Sequence, residues 1–100
     1  MQFLDCPQCL GRVEVPDLPA AKRAEIARLR FNDHTVEAYE RLSELSGLDL
    51  RLAKRLVIHL PHRPGECHRC HAQLPSGGAV QCSKCGSVNV QWRAFDEEAA

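Results

Sequence analysis

The sequence has no net charge, no long apolar run, no low-complexity tract and no recognisable catalytic pair. Thirteen basic residues balance thirteen acidic ones in 100 residues. The chain as a whole therefore has no field to draw in nucleic acid or an anionic membrane. No apolar stretch approaches the roughly 20 residues that cross a bilayer, so a membrane role is not expected. The opening Met1-Gln2-Phe3-Leu4-Asp5-Cys6 lacks a basic stretch, an apolar core and a small-residue cleavage site, and no secretory leader is expected from it. A cytoplasmic location follows, where reducing thiol pools disfavour structural disulfides. No nucleophile beside a base, phosphate-cradling loop or open metal site is visible, which points away from an enzyme.

What the sequence does have is cysteine: six, at 6, 9, 67, 70, 82 and 85, falling as three Cys-x-x-Cys pairs. A chain of this length buries a smaller share of its surface than a larger domain does, so a staple has a purpose. With disulfides disfavoured, metal ligation is the better use of the thiols. The expected fold is α+β, small and metal-stabilised: about three short helices between an N-terminal knuckle and a C-terminal β-hairpin.

The expected layout is a Cys-x-x-Cys knuckle and strand over 1–16, a helical segment over 17–61, a metal-binding segment over 62–95 and an acidic tail over 96–100. Cys6-Pro7-Gln8-Cys9 precedes an alternating strand ending near Val15. Asp17 and Pro19 are helix-start residues, and a first helix over about Pro19 to Phe31 would bury Ile26, Leu29 and alanines. Asn32 to Thr35 breaks it, and Val36, Tyr39, Leu42 and Leu45 then recur at helical spacing. Gly47 supplies a left-handed stop. Asp49 can cap a third helix that Pro61 limits. His62 to Glu66 forms a turn-rich linker.

Two cysteines separated by two residues present both sulfurs from one tight turn, and two such turns complete a tetrahedral thiolate site. Cys67-His68-Arg69-Cys70 and Cys82-Ser83-Lys84-Cys85-Gly86 do so across a segment in which Pro75, Gly77 and Gly78 are expected to make the hairpin turn. Ser87 to Trp92 reads as the last strand. From Glu66 to about Arg93 the sequence resembles the zinc-ribbon family. The resemblance implies a structural Zn2+ held by Cys67, Cys70, Cys82 and Cys85, with no open coordination position. Three rivals compete. Cys67-His68-Arg69-Cys70-His71 matches the attachment site of c-type haem, but a second pair sits at ribbon spacing. Iron in a rubredoxin-like cage, making an electron-transfer protein, is chemically permitted by the same four thiolates. A thioredoxin-like dithiol at Cys6 and Cys9 would need a helix after Cys9, where a strand is expected.

Cys6 and Cys9 cannot complete a tetrahedron alone. His59 and His62, three positions apart around the end of the third helix, are the best local donors for a second site made of Cys6, Cys9, His59 and His62. His68 or His71 as substitutes, a zinc-bridged homodimer, and metal-free thiols are the alternatives. One zinc per chain is expected from the ribbon, and two if the knuckle finds partners within the chain.

The helical middle carries a second resemblance. Ser46-Gly47-Leu48, Leu50-Arg51, Ala53-Lys54 and Leu56-Val57 look like the helical hairpin of the bacterial ribosomal stalk protein's C-terminal domain, without its flanking strands and with Leu52 in place of an acidic residue. In that family the hairpin receives translation GTPases, which would cast Arg51, Lys54 and Arg55 as partner contacts. The leading expectation is a non-catalytic zinc-binding adaptor that engages another protein. A nucleic-acid- or ribosome-associated role is the alternative, motivated by basic residues from Arg51 to Arg69.

Overall fold

The computed structural model describes residues 2–8 and 11–92. Cys9 and the expected acidic tail over 96–100 lie outside the described residues. Strand β1, Gln2–Cys6, pairs antiparallel with β2, Gly11–Val15, in a register running from Gln2 opposite Val15 to Cys6 opposite Gly11. The alternation of strand side chains turns Leu4, Cys6, Val13 and Val15 inward and leaves Phe3 half exposed beneath the Arg12 guanidinium, 5.2 Å from its ring centre. The N-terminal knuckle is thus a full hairpin: the strand before the cysteines was not expected from Gln-Phe-Leu-Asp, whose alternation is short and weak.

Helices α1, Ala20–Phe31, α2, Thr35–Ser46, and α3, Leu50–Ile58, follow close to their expected bounds. Gly47 takes the left-handed conformation at the end of α2 (φ 80°) and returns its amide to the Ser43 carbonyl at 2.9 Å. The Asp49 carboxylate accepts the Leu52 amide at 2.9 Å and starts α3. At α1 the N-cap is Pro19, with no side-chain hydrogen bond, so Asp17 does not cap that helix. Proline suits the position because the first amides of a helix lack intrahelical partners.

A single apolar core gathers Val13 and Val15 of β2, Ile26 and Ala27 of α1, Ala38 and Leu42 of α2, Ala53, Leu56 and Val57 of α3, Leu60, and Val90 and Trp92 from the C-terminal segment. Leu29 and Leu52 pack half-buried at its edge. The three helices and both hairpins therefore share one interior. Arg30, only 6% exposed, crosses from α1 to the other helices: Nε donates to the Leu60 carbonyl at 2.9 Å, Nη2 to the Ile58 carbonyl at 3.3 Å and Nη1 to the Thr35 hydroxyl at 3.0 Å. Its guanidinium satisfies carbonyls that the end of α3 would otherwise leave orphaned, and burial pulls its pKa below the usual arginine value.

The second hairpin pairs β3, Ala79–Gln81, with β4, Val88–Val90. Its turn is the knuckle itself. The Cys82 amide donates to the Ser87 carbonyl at 2.8 Å, and the Gly86 amide returns to the Cys82 carbonyl at 2.9 Å. This corrects the expected turn at Pro75, Gly77 and Gly78. That stretch is a loop fastened to Gln91, whose Nε2 reaches the Pro75 and Gly77 carbonyls at 2.9 and 3.0 Å. Strand β4 is also shorter than the expected 87–92.

Candidate metal centre

Two short turns place the four C-terminal cysteines. In the first, the Cys67 amide donates to the Ala72 carbonyl at 2.8 Å and the His71 amide to the Cys67 carbonyl at 3.1 Å. The second repeats the pattern residue for residue through Cys82, Gly86 and Ser87. In each, the residue after the second cysteine has a left-handed backbone, Gly86 at φ 81° and His71 at φ 65°. Such turns aim backbone amides at sulfur, and the Arg69 amide stands 3.4 Å from Cys67 Sγ.

The turns face each other, so that Cys67 Sγ lies 3.6 Å from Cys85 Sγ and Cys70 Sγ 3.5 Å from Cys82 Sγ. All four sulfurs fall within 4.8 Å of one another. A tetrahedron with metal–sulfur bonds of about 2.3 Å has edges of about 3.8 Å. The observed separations lie close to that edge and far beyond the roughly 2.05 Å of a disulfide. The four thiols are positioned to hold one metal ion. Cys67 and Cys82 are buried, Cys85 is intermediate and Cys70 is exposed, so the cluster has one face toward solvent.

Thiolate is the form that ligates, and the surroundings favour it at three positions. Burial opposes ionisation of Cys67, but the Cys70 and Arg69 amides and the Asn89 side chain outweigh it and lower its pKa. The Cys85 and Lys84 amides lower Cys82, and the Ser87 hydroxyl and amide lower Cys85. Cys70 runs the other way. The Ala72 amide favours its thiolate, yet desolvation and the sulfurs of Cys82, Cys85 and Cys67 push it up to about 11. Four anions at this spacing need a cation among them, and without one a proton stays on the cluster.

Asn89 was not singled out by its sequence position, and it sits at the centre of this arrangement. It is 0% exposed. Its Oδ1 accepts the His68 amide at 2.9 Å, and its Nδ2 donates toward Cys67 Sγ at 3.5 Å and the Ser87 carbonyl at 3.3 Å. One side chain thereby bridges both turns. Only the strand register, which turns residue 89 toward the first knuckle, reveals this, and the residue type alone is an ordinary loop or turn former.

The other expected site residues divide. Cys6 is 2% exposed, and its Sγ accepts the Val88 amide at 3.5 Å. The neighbouring Gln8 side chain donates to the Cys85 carbonyl, so the N-terminal knuckle packs on the second ribbon turn. His59, also 2% exposed, holds its Nδ1 2.6 Å from the Arg55 carbonyl. His62 points elsewhere, with Nδ1 3.2 Å from Asp33 Oδ1. Among the described residues, Cys6, His59 and His62 do not gather as the four ribbon cysteines do. The fourth expected ligand, Cys9, lies outside the described residues. Of the expected partner contacts, Arg51 and Lys54 are exposed. Arg55 is half-buried, its Nη1 3.2 Å from the Arg12 carbonyl and its guanidinium resting where a side chain at Gly11 would stand.

No family model, curated protein or solved structure matches the chain. No match supports the expected likeness of the α2–α3 hairpin to the ribosomal stalk domain, and Gly47 and Asp49 account for its turn locally.

Proposed function

We propose that the chain is a non-catalytic, zinc-stapled module that engages another protein in the cytoplasm. The observation that carries this reading is the closed set of four sulfurs. Four thiolates fill a tetrahedral ion, leaving no position for water or substrate, which is the arrangement of a structural and not a catalytic zinc. The ion then contributes folding energy, on the order of 10 kcal/mol in small zinc domains. Function falls to the surfaces that the ion and the core hold in place. Among the described residues no helix is long and apolar enough to cross a membrane. The outer surface of the helices offers Val36, Leu50 and Ile58, each at least 40% exposed, together with the exposed Arg51 and Lys54.

Elemental analysis with native mass spectrometry on the purified full chain tests the metal. Zinc that is lost in Cys82→Ser supports the reading. A coloured protein containing iron would replace it with electron transfer. Affinity capture tests the second half of the reading, with a reproducible protein partner expected. RNA or DNA binding that weakens steeply with added salt would move the assignment to nucleic acid instead.

A further inference from the structure

The zinc-ribbon reading leaves a buried pair of imidazoles unused. His59, at the end of α3, and His68, inside the first ribbon turn, have ring centroids 5.0 Å apart with planes inclined at 54°. They belong to different segments, and His68 Nε2 is buried without a hydrogen-bond partner. A buried ring nitrogen left in this state asks for an explanation, because an unmet polar atom costs about 1–3 kcal/mol.

The surroundings of each ring bear on which nitrogen is left to ligate. His59 Nδ1 sits on the Arg55 carbonyl at 2.6 Å. A carbonyl can only accept, so Nδ1 carries the proton and the lone pair resides on Nε2. The Val88 backbone lies against the His68 ring and favours its protonated form, as a carbonyl facing a ring N–H does, while His68 Nε2 is left without a partner. An Nδ1–H resting on a backbone carbonyl, as in His59, is the support that metal-ligating histidines take from their surroundings, and it leaves Nε2 as the ligating atom. The spacing agrees. A zinc–nitrogen bond of about 2.0–2.1 Å, extended to the ring centre, places two centroids about 5 Å apart across a tetrahedral angle.

Strand β4 links a sulfur to this pair. Val88, whose backbone lies against the His68 ring, gives its amide to Cys6 Sγ at 3.5 Å. The Val90 amide, two residues on, donates to the His59 carbonyl at 2.9 Å. Strand β4 thus carries Cys6 and both histidines along one short stretch. Cys6 is buried and accepts an amide at sulfur, as Cys67 does from Arg69.

We infer that His59, His68 and Cys6 hold a second metal ion of the zinc class, distinct from the ribbon ion, that clasps the N-terminal hairpin and the end of α3 to the first ribbon turn. His68, and not His62, is the partner of His59. The three ligand atoms do not all lie within 4.8 Å of one another as the ribbon sulfurs do, so binding of the ion draws them together. The second ion goes beyond the ribbon reading and can fail without it.

Zinc counting on the full chain tests this. The wild type should carry two zinc ions by native mass spectrometry, and His59→Ala and His68→Ala one each. His62→Ala should keep two. Because His59 is buried and its alanine variant can fail to fold, His68→Cys provides the control: a new thiolate ligand should restore the second ion. Cobalt(II) in place of zinc supplies an independent readout, the wild type showing mixed sulfur–nitrogen bands that His68→Ala reduces to an all-thiolate spectrum. One zinc in the wild type, lost in Cys82→Ser and retained in His68→Ala, would overturn the second site while leaving the ribbon standing. Two zincs in both His68→Ala and His59→Ala would overturn it as well.

Discussion

The helical segment and the ribbon are held by different forces. The helices bury Ile26, Leu42, Leu56, Val57 and Leu60 almost completely, and at about 25 cal/mol per Å² that apolar surface is their main support. Among the described residues, the segment from Cys67 onward adds only Val90 and Trp92 to the common core. Its first turn adds nothing apolar to it. In place of packing it has four sulfurs, the buried Asn89 and a set of turn amides. On the proposed metal-bound reading, one half is stabilised by what it hides from water and the other by what it ligates, so the two should fail under different insults.

Removing the proposed ion is the strongest way to separate them. With a zinc chelator, amide hydrogen exchange should show lost protection over Cys67 to Asn89, with a local free-energy change on the order of 10 kcal/mol, while the interiors of α1, α2 and α3 keep most of theirs. Equal loss in both halves would show that the helices depend on the ion too.

The converse insult acts on Arg30. Arg30→Met keeps a long apolar stem but leaves the Ile58 and Leu60 carbonyls and the Thr35 hydroxyl without their donor. Unfolding stability should fall by about 2–4 kcal/mol, read from denaturant midpoints, with the ribbon metal still bound. Asn89→Leu tests the ribbon's own polar centre. It removes the acceptor for the His68 amide and the donor to Cys67, and zinc affinity in a competitive chelator titration should drop about 10–100-fold.

The smallest expected effects distinguish the two ribbon turns. His71 and Gly86 occupy equivalent left-handed positions, where a side chain costs roughly 1 kcal/mol and glycine costs none. His71→Gly should raise the thermal midpoint slightly and Gly86→Ala should lower it. Changes of the same sign in both variants would break the equivalence of the turns.

Much of this was legible in the residues. The four cysteines at 67, 70, 82 and 85 are brought together as their spacing requires, because each pair needs only its own turn. The helix bounds were legible for the same reason: Gly47 and Asp49 act on neighbours within a few positions. What stayed hidden depends on distant pairing. Gln2–Cys6 becomes a strand only because Gly11–Val15 lies beside it. Arg55 reads as a surface cation until Gly11 makes room for its guanidinium on β2. Arg30 reads as one basic residue among several in α1, and only the arrival of α3 makes it internal. His62 is closer to His59 in sequence than His68 is, but chain proximity is a poor guide once a helix has ended and the backbone turns away.

Strand β4 is three residues long, yet its amides and side chains meet Cys6, His59, Cys67 and His68. Adjacent strand residues face opposite sides, so inserting one residue between Cys85 and Val88 would exchange those sides and put Asn89's place on the wrong one. The loop over 75–78 answers mainly to Gln91 and can change length at little cost. Room for change in this chain is thus set by how many neighbours read a segment's register: extra sequence, a tag or a grafted peptide belongs at 75–78, and the few residues after Cys85 are where the molecule has no slack.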